Sequence, residues 1–168
     1  MTSELRVDKI HNEGGDNDSG IDLSTNDQIV LKTANTTRLT MNSTGQTTIV
    51  GEGGSTTTNL QQGLAKMWVN YTGISTTAAR DSFNLSSLTD SAAGQTLLNI
   101  NNDMNNDDYS GYYYTNASTG TSYGNFSNTY AGGFGSFTTG QCGNNAYDTT
   151  AGNVDSYQNL CGIFGDLA

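Results

Sequence analysis

Residues able to do chemistry are few and scattered along this chain. Asp16-x-Asp18-x-Gly20 places two carboxylates two apart in a turn, where they can share one hard cation such as calcium. A third carboxylate position and a distal Glu are missing, so Asp16 and Asp18 are weak calcium candidates and read first as an acidic turn. Asp103, Asp107 and Asp108 form a second acidic cluster among Asn residues, with the same two readings. The one histidine, His11, sits in a thin N-terminal segment, remote from any Ser/Asp pair a hydrolase triad would need. Asp81, Asp90, Asp103 and Asp107 could supply a carboxylate pair for glycan hydrolysis, yet Asp is also an ordinary turn residue and no pocket can be argued around them. Cys142, Cys161 and the distant His11 do not make a clustered zinc set. The glycines follow no nucleotide-binding spacing. The expectation is a non-enzymatic chain with no catalytic residue and no cofactor.

Binding is a better prospect than catalysis. Tyr112-Tyr113-Tyr114, with Tyr109, Tyr123 and Tyr130, is the densest aromatic group. Neighbours in a strand point to opposite faces, so Tyr113 should face away from Tyr112 and Tyr114. One face can fill a core while Tyr112, Tyr114, Tyr123 and Tyr130 present amphipathic rings to a glycan or partner. The alternative is that these rings serve only the core and a subunit interface.

The elements that must position these residues are strands. Only 33% of the 168 residues are hydrophobic and 13% are charged, while Gly numbers 21 and Thr, Ser and Asn abound. Thr and Tyr favour pleated strands, and Asn and Gly tolerate left-handed turns. Runs of strong helix formers are absent. The predicted fold is all-β in three regions. Residues 1–54 form a stalk or anchor of short strands, with alternations at Leu5/Val7, Ile21/Leu23, Ile29/Leu31 and Leu39/Met41. Residues 55–66 form a linker with one or two helical turns around Leu60 and Leu64, capped by Thr58 or Asn59. Residues 67–168 form a β-sandwich, jelly-roll-like, with strands over 66–71, 81–85, 96–101, 110–115, 122–130, 133–139, 146–149 and 156–164.

A chain this poor in apolar side chains buries little alone, so it should oligomerise. A homotrimer would line its axis with Leu5, Val7, Ile29, Leu31, Leu39, Met41, Leu60 and Leu64. The net charge of −10, with six basic residues, would repel nucleic-acid phosphates and anionic lipid. Neither nucleic-acid binding nor membrane insertion is expected. Residues 1–7 lack an apolar core of signal-peptide length, which points to a chain made and kept in the cytoplasm. There Cys142 and Cys161 default to free thiols, with a disulfide open to them after release.

Two stretches resemble known virion proteins. Residues 27–45, with Arg38-Leu39-Thr40-Met41 followed by Ser43-Thr44-Gly45 and then Thr47-Thr48-Ile49-Val50-Gly51, resemble a recurrent module of phage tail fibres and tailspikes. Ala65-Lys66-Met67-Trp68-Val69-Asn70-Tyr71, then Arg80-Asp81-Ser82-Phe83-Asn84-Leu85-Ser86-Ser87-Leu88-Thr89-Asp90, then Asp107-Asp108-Tyr109 resemble a domain frequent in marine phage structural proteins. Tyr71, Leu85 and Leu88 are conservative departures from that pattern. The opening Ser3-Glu4-Leu5-Arg6-Val7-Asp8-Lys9-Ile10 is also similar to the start of such proteins. The resemblance implies a virion part assembled in the host cytoplasm, either a short trimeric tail fibre or appendage for host attachment, or a capsid decoration or head-fibre protein. Its partners would be copies of itself, other tail or capsid proteins and a host-surface glycan.

Overall fold

The computed structural model describes residues 4–14, 17–51, 53–117, 124–125, 137–148 and 152–168. The chain is all-β and divides into two compact units, Met1–Gly63 and Leu64–Ala168.

The first unit is a single-layer meander. β1 (Lys9–His11), β2 (Gly20–Asp22), β3 (Ile29–Thr33), β4 (Thr36–Met41), β5 (Thr47–Val50) and β6 (Thr57–Asn59) pair in that order, each antiparallel to the next. The turn between β3 and β4 is Ala34-Asn35, both at positive φ (51° and 54°), the two-residue turn whose twist suits a hairpin. A four-residue helix, α1 (Leu60–Gly63), follows β6, and the Asn59 carboxamide oxygen accepts from the Gln62 N–H at 3.1 Å as its cap. Gln61 ties the helix to β5, accepting from the Thr47 N–H and donating to the Gly45 carbonyl, both at 2.9 Å. Much of the expected linker over 55–66 is thus built structure, because Thr57–Asn59 finds a free sheet edge at β5.

Directly paired residues share a face of a sheet, and the register makes this one two-sided. Ile10 pairs Ile21, Ile21 pairs Leu31, Leu31 pairs Leu39 and Leu39 pairs Ile49, while Ile29 pairs Met41 beside them. Seven aliphatic side chains therefore line one face across five strands. The other face carries Lys9, Asp22, Val30, Thr40, Thr48 and Asn59. Thr47 is this unit's one fully buried residue among those described.

The second unit holds the core. Its strands are β7 (Met67–Thr72), β8 (Ala78–Phe83), β9 (Leu85–Ala92), β10 (Gln95–Ile100), β11 (Ser110–Ala117), β12 (Gly124–Asn125), β13 (Gln141–Asn145), β14 (Tyr147–Asp148), β15 (Gly152–Asn153) and β16 (Ser156–Phe164). β12-β11-β16-β7-β8 form a five-stranded sheet, β13-β10-β9 a three-stranded one and β14-β15 a small ribbon. Period two in β7 buries Met67, Val69 and Tyr71, and in β16 it buries Cys161 and Ile163. These pack in one cluster with Leu98 and Ile100 of β10, Cys142 of β13, and Met104 and Tyr109 from the β10–β11 connection. Leu85, Leu88, Tyr113 and Phe137 close its margins. The Phe137 ring meets Tyr109 edge-on at 5.1 Å.

Several strands differ from the sequence expectation, which had none over most of Leu85–Ala92, Gln141–Asn145 or Gly152–Asn153. The run 81–85 is broken at Asn84, whose positive φ (57°) turns the chain from β8 in one sheet to β9 in the other. β13, Gln-Cys-Gly-Asn-Asn, has no branched or aromatic residue to announce it. It forms because Cys142, Gly143 and Asn144 fit the buried side of β10. The expected strands over 122–130 and 133–139 lie largely outside the described residues.

Candidate functional site

The outward face of the five-stranded sheet collects aromatic side chains in a row. Tyr112 of β11 pairs Gly162 of β16, Gly162 pairs Trp68 of β7, and Trp68 pairs Phe83 of β8. Tyr112 and Phe83 are each about half exposed, at 53% and 52%, and Trp68 is 36% exposed. The Tyr112 ring packs onto the glycine: a Cβ at Gly162 would meet it at 2.4 Å and push it aside. Phe164 flanks Tyr112, with centroids 6.1 Å apart. A second row, Tyr114, Leu160, Asn70 and Asp81, runs beside the first. Arg80 is engaged nearby: its guanidinium stacks 4.3 Å above the Tyr157 ring and donates to the Tyr157 carbonyl at 2.7 Å. Flat, exposed rings next to carboxamide and carboxylate groups can stack on the apolar faces of sugars and bond their hydroxyls.

Of the four tyrosines singled out for binding, Tyr112 and Tyr114 lie exposed on this face, while Tyr123 and Tyr130 lie outside the described residues. Tyr113 points the other way, into the core margin. Trp68 and Phe83 were not singled out. The period-two pattern of 67–71 contained the signal, because burying Met67, Val69 and Tyr71 forces Trp68 outward.

The residues expected along an oligomer axis divide. Ile29, Leu31, Leu39 and Met41 share the apolar face of the first sheet, where Ile10, Ile21 and Ile49 join them. Leu5 and Val7 are exposed ahead of β1. Leu60 belongs to α1, and Leu64 opens the second unit, 54% exposed. An open groove of about 580 Å³, lined by Leu23, Asp27, Gln28, Ile29, Met41 and Ser43, continues that face beyond the β3–β4 pair.

Among the described residues no group of three or more His, Cys, Asp or Glu gathers as a metal set. The Asp18 carboxylate accepts from the Ser19 hydroxyl at 3.0 Å, and its carbonyl accepts from the Asn35 N–H at 2.8 Å, fixing the β3–β4 turn. Asp16 lies outside the described residues. His11 is on β1 in the first unit, whereas Asp81, Asp90, Asp103 and Asp107 are exposed in the second. The Asp90 carboxylate accepts from the Thr77 hydroxyl at 3.0 Å. Lys32 and Asp22 form an ion pair at 2.5 Å, and Asp22 also accepts from Ser24. The Lys32 ammonium, with Ser24, holds the Asp22 carboxyl well below the usual carboxylate range.

The core of the second unit is partly polar, and several of its polar groups pair internally. Asn144 donates to the Tyr71 hydroxyl at 2.6 Å, and Thr96 bonds the same oxygen. Ser156 donates to the Asn159 carboxamide at 2.5 Å. Burial pushes the Tyr71 hydroxyl up to about 12, and raises Tyr109 and Tyr113 further. Cys142 and Cys161 are free thiols, 0% and 1% exposed. No helix among the described residues is long and apolar enough to cross a membrane.

Compared with protein-family models, curated proteins and solved structures, the chain finds no match.

Proposed function

We propose that this chain is a non-enzymatic bacteriophage virion protein, a short trimeric tail fibre or appendage that helps attach the particle to its host. Three copies of the first unit close their apolar faces around a common axis as a shaft. The second unit, a jelly-roll-like sandwich, serves as the head, and its Tyr112–Trp68–Phe83 row contacts a host-surface glycan. The observation that carries this reading is the one-layer sheet with seven aliphatic side chains on one face. A sheet with one apolar face must bury it against another layer, and four residues of helix cannot supply that layer. Half-exposed as they stand, these side chains contribute on the order of 5–10 kcal/mol when covered. The resemblance of residues 27–51 to fibre modules and of 65–109 to marine phage structural domains supports a virion setting.

Sedimentation equilibrium of the full chain tests the assembly. A particle of three 17.7 kDa chains is expected, and a monomer that stays folded at nanomolar concentration would sink the proposal. The second reading is a capsid decoration or head-fibre protein, with the same strands gripping the shell. Immunogold labelling of virions separates the two: gold on the tail supports the appendage, gold on the capsid faces the decoration protein.

A further inference from the structure

The two cysteines lie 19 positions apart in sequence, yet they meet across the core. Cys142 is on β13 of the three-stranded sheet, and Cys161 is on β16, the middle strand of the five-stranded sheet. Both thiols are buried in the one core cluster, with Tyr113 packed against it, and each thiol lies close enough to act on the other electrostatically. The Tyr113 hydroxyl is buried without a hydrogen-bond partner, and both thiols lie near enough to act on it. Tyr113 is held in place because it pairs directly with Cys161 between β11 and β16.

We propose that Cys142 and Cys161 form an intramolecular disulfide that staples the two sheets when the protein meets an oxidising, thiol-disulfide environment. The oxidant is a small-molecule disulfide. The Cys142 thiolate attacks one sulfur of the reagent. Its S–S bond breaks, and one reagent thiolate leaves and takes up a proton. The Cys161 thiolate then attacks Cys142 Sγ, displacing the second reagent thiolate, which is protonated in turn. The two protein thiols lose two electrons and two protons in all, and the reagent disulfide is reduced to two thiols.

Cys142 is the entry sulfur for two reasons. β13 pairs only with β10 and is an edge strand of its sheet, so it can peel away without opening the five-stranded sheet. In addition, the neighbouring Cys161 thiol and Tyr113 hydroxyl favour the Cys142 thiolate, opposing the cost of burial. Cys161 is more deeply held and is pushed up.

The test uses the full chain, incubated natively with oxidised glutathione or with dithiothreitol, then denatured and alkylated. The expected result is loss of both free thiols, a chain that takes up no alkyl group and is lighter than the reduced, unalkylated chain by two hydrogen atoms, and one proteolytic fragment joining 142 to 161. The apparent thermal midpoint of the second unit should rise by about 10 °C and fall back on reduction. Cys142→Ala and Cys161→Ala should each show no such rise; if either fails to fold, the linked fragment from the unsubstituted chain decides alone. Two thiols that both survive overnight exposure to the oxidant, or a linkage found only between chains, would overturn the proposal.

Discussion

Asn84 carries more structural responsibility than its exposure suggests. It turns the chain from one sheet to the other at positive φ, and its carboxamide donates to the carbonyls of Lys66 (2.9 Å) and Asn102 (3.1 Å) and accepts from the Asn102 N–H (2.7 Å). Asn84→Ala loses both the bonds and the conformational ease, and should cost about 3 kcal/mol in denaturant unfolding. Asn84→Gly keeps the turn and should cost about 1 kcal/mol less than the alanine variant. The core tyrosines make a second contrast. Tyr71→Phe strips Asn144 of its 2.6 Å acceptor and should destabilise by about 2 kcal/mol, whereas Tyr113→Phe removes a hydroxyl with no oxygen or nitrogen partner and should stay within about 1 kcal/mol. The pH dependence follows from the same residues. Tyr71, Tyr109 and Tyr113 are raised in the folded state, so the unfolded chain ionises first. Their contribution is intact below pH 10 and declines as pH climbs toward 12 and beyond. Over that window the thermal midpoint should fall while tyrosinate absorbance rises. On the acid side Asp22 is depressed, so its support of the first sheet is present above about pH 4 and is lost as pH drops through the folded value.

At the scale of elements, the β3–β4 hairpin and its apolar face are the places to intervene. Ala34 sits at φ 51°, where a non-glycine residue without a local hydrogen-bonding side chain is strained. Ala34→Asn should stabilise the first unit by about 1 kcal/mol, read as a higher unfolding midpoint. Leu31→Lys places a charge in the middle of the aliphatic ladder. It should shift sedimentation to the single-chain mass while leaving the circular dichroism of the second unit intact. Elements were legible in the sequence where side chains alternate strongly. Met67, Val69 and Tyr71 announced β7, and Leu160 to Phe164 announced the end of β16. β13 was hidden because its buried side is made of Cys, Gly and Asn, residue types that also make turns. β6 was hidden for a related reason, since Thr57–Asn59 owes its strand to an open neighbouring edge rather than to its own preference. The candidate binding face was half legible: Tyr112 and Tyr114 follow from alternation alone, but bringing Trp68 and Phe83 beside them requires the register of four strands, which no local pattern encodes.

For the whole molecule, the two units should answer differently to dilution. Under the proposed trimer, the unfolding midpoint of the first unit rises with protein concentration, while a core already closed in the second unit gives a midpoint that does not move. Calorimetry across a hundredfold concentration range checks this, and two transitions that both stay fixed would count against assembly through the sheet. Gly162→Ala tests the aromatic row separately: it should displace the Tyr112 ring and weaken retention on a glycan matrix without changing the sedimented mass.

The strand order also dictates when each part can be finished during synthesis. Every strand of the first sheet pairs with its immediate neighbour in sequence, so that sheet zips up behind the ribosome as it emerges. In the five-stranded sheet β16 is inserted between β11 and β7, so those strands face a gap until residues 156–164 have been translated. A ribosome stalled before that point leaves two raw strand edges waiting, and these would be the first places for nascent chains to stick to one another.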